Sequence, residues 1–152
     1  MKFPKRLETA LSKLYTAYNT HTLHPEDACR CAVGNLLGQR DFWKHLSDDH
    51  GSVKLNYVGK VHEMLGRRFE GYLPSELLQI EKAFLAGCGY ELPFTQKSKK
   101  PKNPQDREVL FQGLCHAIEA LCSLENIPNV MEITESFEKI KAPSKERAFA
   151  IQ

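Results

Sequence analysis

The fold is decided by a stretch near the N-terminus that reads His24-Pro25-Glu26-Asp27-Ala28-Cys29-Arg30-Cys31-Ala32-Val33-Gly34-Asn35-Leu36-Leu37-Gly38. Pro25 suits the first position of a helix, and the two acids after it then lie in the first turn, where the helix dipole favours negative charge. Four apolar residues recur at helical spacing and predict one buried face: Cys29, Ala32, Val33 and Leu36. Gly38 is a natural end for such a helix. The pattern therefore predicts a helix over residues 25–38.

This predicted helix decides what its two thiols do together. On a helix, Cys29 and Cys31 point about 200° apart, so they neither hold one metal ion jointly nor form a disulfide. The Cys-x-Cys pair chelates a metal only if the segment is not helical. We interpret Cys29 as a buried core residue. Cys31 is the more interesting thiol, because it lies near the positive end of the predicted helix, where a thiol pKa falls.

Length and composition set the broad class of protein. The chain has 152 residues, 41% of them hydrophobic and 26% charged, which is typical of one soluble globular domain. No apolar run has the length of a membrane span, and the N-terminus does not resemble a signal peptide. The five cysteines are an odd number, which favours reduced thiols and a cytoplasmic location. A net charge of +2 gives no reason to expect nucleic acid or a membrane as a partner.

Apolar residues repeat at helical spacing along most of the remaining chain. Helices are predicted over residues 4–20, around Trp43 with Asp41 as cap, over 53–66, from Pro74 to about 87, from 104 to about 123 with Asn103 as cap, and over 130–140. The predicted core faces include Val58, Val61 and Leu65 in the helix over 53–66. In the long helix they include Leu110, Phe111, Leu114, Leu121 and Cys122. The fold class is therefore all-α, with residues 1–152 forming a single compact domain of about six helices.

Two segments are predicted to lie outside this helical core. Residues 93–103 carry four lysines and predict a mobile basic loop, with a phosphate-binding arm as the functional alternative. Residues 141–152 predict a frayed tail.

A metal site assembled in space is the main chemical hypothesis. Cys88 lies between two glycines and is predicted to turn toward a neighbour or toward solvent. Together with Cys31 and either His24 or His50 it would offer zinc the ligands that this metal prefers. His50 also ends a polar turn whose two aspartates make a surface metal or general-base cluster the alternative to a solvated turn. If the thiols do not meet, we expect no cofactor.

The sequence indicates no class of enzyme. It contains no Gly-rich phosphate loop, no His-Glu-x-x-His zinc motif, no Cys-x-x-Cys pair and no Gly-x-Ser-x-Gly elbow. His62 lies beside an apolar face and is interpreted as a structural histidine with its polar atoms satisfied.

Several short segments resemble one group of proteins. They are Cys31-Ala32-Val33-Gly34-Asn35, residues 45–52, Leu55-Asn56-Tyr57-Val58-Gly59, residues 77–85 and Gly113-Leu114-Cys115. Over residues 7–140 the chain resembles short bacterial proteins that carry the name of the NADH-binding subunit of the sodium-translocating NADH–quinone reductase. The resemblance implies a redox accessory linked to quinone reduction. The genuine, much larger subunit holds an iron–sulfur cluster and a flavin, and this sequence lacks both its cysteine loop and a dinucleotide fingerprint. The resemblance therefore assigns no catalytic residue.

These observations favour one function over two others. We expect a small binding or accessory module that meets a protein partner through a helical surface or groove, with an oligomeric state that the sequence leaves open. A thiol or metal site at Cys31 and Cys88 is the second hypothesis, and the redox accessory is the third.

Overall fold

The computed structural model describes residues 4–39, 45–47, 54–93 and 97–127. These residues form five helices: α1 (Lys5–Asn19), α2 (Ala32–Leu36), α3 (Tyr57–Met64), α4 (Pro74–Cys88) and α5 (Arg107–Leu124). No strand occurs within those four ranges, where a lone β-bridge joins Phe69 to Tyr72. The all-α prediction is confirmed. The predicted helices around Trp43 and over residues 130–140 lie outside the described residues, as do His50 and the predicted tail.

Helices α1 and α4 form where the apolar pattern predicts them. Leu7, Leu11 and Leu14 of α1 are buried at the predicted positions. Leu77, Ile80 and Phe84 of α4 are buried in the same core. Gly89 ends α4 with φ of 102°, a left-handed conformation that glycine adopts without a steric penalty. None of the helices in the described ranges has the length and apolar character needed to cross a bilayer.

Helices α4 and α5 make the most extensive contact between helices of the described chain. A glycine on α5 sets their spacing: a Cβ atom built on Gly113 would lie 2.3 Å from the Sγ atom of Cys88. No side chain fits there, so the two backbones approach closely and Cys88 fills the gap between them. Leu110, Leu114 and Leu121 of α5 are buried as predicted. Phe111 is a correction, because its side chain is 44% exposed rather than part of the core.

The predicted helix over residues 25–38 is wrong in its first half. Only Ala32–Leu36 is helical, and residues 25–31 form consecutive turns. The Asp27 carboxylate accepts a hydrogen bond from the backbone N–H of Cys29 at 2.8 Å and pairs with Arg30 at 2.9 Å. Aspartate bonded to the backbone two residues ahead favours a turn over a helix. The local chemistry of Asp27 therefore overrides the apolar spacing.

Helix α5 also begins later than predicted. Its cap is Asp106, whose carboxylate accepts from the N–H of Glu108 at 2.9 Å. Asn103, the predicted cap, instead accepts from the N–H of Gln105 in the preceding turn. In the predicted basic loop, the carbonyl of Lys99 accepts from the N–H of Glu91 at 2.8 Å. This bond ties the described part of the loop to the end of α4.

Candidate functional site

Cys31, the first predicted metal ligand, is fully buried and has a structural task. It is the residue before α2, and its Sγ atom accepts a hydrogen bond from the N–H of Gly34 at 3.3 Å. Burial, and next the nearby charge of Glu81, raise the pKa of the Cys31 thiol well above its ordinary value. The prediction of a lowered pKa at Cys31 is therefore wrong. The position at a helix start is real, but desolvation outweighs the helix dipole there.

Cys88, the second predicted ligand, is also buried, at the end of α4. Burial, followed by the charge of Glu81, raises the pKa of the Cys88 thiol to about 12. At neutral pH the thiol therefore stays protonated, which disfavours both nucleophilic attack and metal ligation. The prediction that Cys88 turns toward solvent is wrong, because Gly113 of α5 leaves its sulfur a site inside the seam between the two helices.

The two histidines of the proposed zinc site differ in what is described. The Nδ1 atom of His24 accepts a hydrogen bond from the N–H of Glu26 at 3.1 Å, within the turn that replaces the predicted helix. His50 lies outside the described residues. Over the described ranges, no group of three or more His, Cys, Asp or Glu side chains is placed to hold a metal ion. The zinc site with His50 stays a prediction.

Glu81 is a buried carboxylate that sequence reasoning missed. It is 2% exposed on α4, and its Oε1 atom accepts a hydrogen bond from the N–H of Val33 in the first turn of α2. The Cys31 thiol also bonds to this carboxylate. The available signal was position: Glu81 follows Leu77 by four residues and Ile80 by one, which places it on the buried face of α4. Its role is structural, since it stabilises the start of a very short helix.

Helix α3 has the unusual surface of the described chain, because its apolar face points to solvent. Four of its large apolar side chains are exposed: Tyr57 by 81%, Val58 by 45%, Met64 by 86% and the adjoining Leu65 by 61%. Val61 is half-buried. Residues 57, 61, 64 and 65 share one side of a helix. The sequence predicted this apolar side and interpreted it as core, and that interpretation is wrong.

Glycine explains why α3 is turned this way. Gly59 is the only buried residue of α3, and a Cβ atom on it would lie 2.4 Å from the backbone oxygen of Leu46. The helix therefore packs backbone against backbone on its Gly59 side, opposite the apolar face. Asn56 caps α3 by accepting from the N–H of Gly59 at 2.7 Å, and its own N–H donates to the Leu46 oxygen at 2.9 Å.

A polar contact and a ring contact hold the other flanks of α3. The Glu63 carboxylate accepts from the N–H and the hydroxyl of Ser75, at 2.8 and 2.7 Å, at the start of α4. The His62 ring packs edge-on against Phe69, with centroids 5.5 Å apart. Its Nδ1 atom is buried without a hydrogen-bond partner among the described residues. The prediction of a structural histidine with satisfied polar atoms is thus wrong in its second part.

The exposed apolar face, which we call the α3 face (Tyr57, Val58, Val61, Met64 and Leu65), lies in a basic segment. Residues 54–68 hold four basic residues, all exposed: Lys54, Lys60, Arg67 and Arg68. Their one acid is Glu63, whose carboxylate is engaged by Ser75. The segment has a net charge of +3.

A second concave surface lies between α1 and the region after α2. It is a cavity of about 360 Å³ lined by hydroxyl and amide groups, among them Thr16, Thr20, Asn35 and Gln39. Most of these groups already bond within the chain: Asn35 donates to three backbone oxygens, and Thr20 donates to the oxygen of Thr16. The cavity therefore offers an incoming ligand few uncommitted polar groups, and the α3 face is the stronger candidate.

No protein-family model, curated protein or solved structure matches this chain. The resemblance to short proteins named after the quinone reductase stays a prediction, and the candidate site rests on the geometry of the described residues.

Proposed function

We propose that this chain is a protein-binding module that docks a segment of another protein on the α3 face. The observation that carries the proposal is the inversion of α3, whose small and polar side packs inward while its large apolar residues meet solvent. A contiguous apolar patch on a small domain marks an interaction site more often than chance exposure of single residues does. The five reduced cysteines accord with the cytoplasmic location that we propose with this function.

Two features support a prepared binding surface rather than a poorly packed helix. First, α3 is anchored on its opposite side by Gly59 and at its flank by the Glu63–Ser75 hydrogen bonds. A helix held in this way loses little conformational freedom when a partner arrives. Second, the basic residues of the segment disfavour a second copy of the chain as the occupant, because two such faces would place like charges together. The occupant is therefore a different protein.

A direct binding measurement tests the proposal. The probe is a synthetic amphipathic peptide of about four helical turns, with leucine at helical spacing and glutamine elsewhere, titrated by calorimetry into the full chain. We expect saturable binding that a Tyr57→Ser, Met64→Ser double variant weakens at least about tenfold, since burying each such side chain contributes about 1.5–3 kcal/mol.

The matched control is Phe111→Ser, which removes an exposed aromatic residue from α5 instead. It should leave the affinity unchanged. Thermal unfolding of all three proteins checks that each is folded. Absence of peptide binding to the parent chain, or equal affinity in the double variant, would overturn the proposed function.

A further inference from the structure

We infer that the segment docking on the α3 face is an acidic amphipathic helix. This inference rests on the proposed function and names the chemistry of its partner. It combines the absence of backbone groups for an extended peptide to pair with and the charge of the residues around the face.

Backbone chemistry selects a helix as the docking segment. The N–H and C=O groups of α3 are committed to its own helical hydrogen bonds, to the Asn56 cap and to the turn at Gly66. An extended segment lying on this face would leave its own backbone groups without partners, which costs free energy wherever water is excluded. A helix satisfies its backbone internally and offers only side chains. Helix-on-helix docking is therefore the mode that fits.

The spacing of the exposed residues sets the length of the partner. From Tyr57 to Leu65 the face covers somewhat more than two turns, about 12 Å along the axis. A partner helix of about three to four turns, with apolar residues at i, i+3, i+4 and i+7, covers that length and extends past both ends. At those margins it meets the basic residues.

Charge selects acids for the flanks of that helix. Lys60 lies one turn before Met64, at the edge of the α3 face, and Arg67 lies just past Leu65 at its end. Both are exposed, and the single acid of the segment, Glu63, is held by Ser75 on the flank toward α4. Carboxylates flanking the partner's apolar stripe therefore meet positive charge, whereas lysines there would meet repulsion.

Three synthetic peptides of one design test this inference on the full chain. They share one leucine stripe and differ only at the flanking positions, which are all Glu, all Gln or all Lys. At about 0.05 M salt we expect the Glu peptide to bind at least about tenfold more tightly than the Lys peptide, with the Gln peptide between them. At about 0.5 M salt the three affinities should converge, because the charges are then screened.

Substitutions locate the charge that makes the difference. A Lys60→Glu, Arg67→Glu double variant should reverse the order, so that the Lys peptide binds more tightly than the Glu peptide, while the Gln peptide changes by less than about threefold. The matched control, Lys100→Glu with Lys102→Glu, changes the net charge equally at exposed positions outside residues 54–68 and should keep the parent order.

The outcomes separate this inference from the proposed function. If none of the three peptides binds, the proposed function fails. If all three bind with equal affinity at low salt, or if the control variant reverses the order as well, the face binds helices without charge selection and only this inference fails. Concentration-dependent dimerisation of the parent chain, lost in the Tyr57→Ser, Met64→Ser variant, would overturn it in favour of a second copy.

Discussion

The carboxylate of Glu81 on α4 accepts a hydrogen bond from the backbone N–H of Val33 at 3.1 Å and so supports the first turn of α2. That helix has five residues, fewer than an isolated helix needs to be stable in water. Its N-terminus is completed by two buried side chains, Glu81 and Cys31. The stability of the turn region around Cys31 therefore depends on a residue about fifty positions further along the chain.

The first prediction follows from this contact. Glu81→Ala should lower the free energy of unfolding by about 1–3 kcal/mol, because the Val33 N–H loses its buried acceptor. Urea unfolding followed by circular dichroism measures the change. Glu119→Ala, which removes an exposed carboxylate from α5, is the control and should fall within about 0.5 kcal/mol of the parent. Equal stability of the two variants would contradict the structural role of Glu81.

The second prediction concerns the sign of a substitution at Gly59. In an exposed helix, Gly→Ala stabilises by about 1 kcal/mol through helix propensity. At Gly59 the added methyl group would meet the Leu46 oxygen, so we expect Gly59→Ala to destabilise by about 1–3 kcal/mol. Lys60→Ala, at the next and exposed position, should change stability little. A more stable Gly59→Ala protein would mean that α3 does not pack closely on Leu46.

The third prediction concerns Arg6 and pH. The Arg6 guanidinium pairs with the carboxylates of Glu76 and Glu125 and lies over the ring of Tyr72, 4.5 Å from its centroid. Burial alone would raise the pKa of Glu76, but hydrogen bonding to Arg6 and to the N–H of Leu73 outweighs it, and the pKa is lowered. A group with a lowered pKa in the folded state contributes stability above its unfolded pKa, and that contribution is lost as the pH falls through the folded value.

Arg6→Ala should therefore destabilise most at neutral pH, by about 2 kcal/mol for a partly buried charge cluster. The gap between parent and variant should narrow below the ordinary Glu pKa of 4.5, where Glu76 becomes protonated in both. Urea midpoints measured from pH 3 to 7, a range of our choosing about that pKa, follow this gap. A gap of constant size would show that packing against Tyr72, rather than the ion pair, supplies the stability.

The fourth prediction ranks the thiols by reactivity. Cys29 and Cys115 are half-buried, whereas Cys31, Cys88 and Cys122 are buried. Burial, followed by the charges of Glu108 and Glu119, raises the pKa of Cys115, which leaves Cys29 as the fastest thiol. A time course of alkylation with iodoacetamide, read by peptide mass spectrometry, gives the order. Fastest labelling at Cys31 or Cys88 would restore the order that the sequence alone predicts.

Apolar periodicity predicted the helices whose core faces are conventional. In α1 and α4 the residues at helical spacing, such as Leu7 and Phe84, are the ones that the structure buries. Between residues 25 and 31 the same spacing failed, because a side chain to backbone hydrogen bond at Asp27 stabilises a turn locally. Periodicity detects which side of a segment is apolar, and it is blind to such competing bonds.

The candidate site was beyond the reach of this reasoning for a different reason. The pattern at Val58, Val61 and Leu65 correctly indicates a helix with one apolar side, but nothing in the pattern says what covers that side. The deciding residue is Gly59, whose lack of a side chain allows the opposite surface to approach Leu46. Likewise Glu81 could be placed on the buried face of α4 by position, but its partner Val33 is distant in sequence.

The inverted packing of α3 separates two kinds of selective constraint within one helix. Gly59, Asn56 and Glu63 face the body of the protein, so substitutions there are limited by folding. Tyr57 and Met64 touch little of the chain itself, and substitutions there are limited only by what the surface must recognise. Over evolutionary time such a helix is free to change partners at its outer positions without loss of fold. Natural variants should accordingly differ in concert at positions 57, 61, 64 and 65 while position 59 stays glycine.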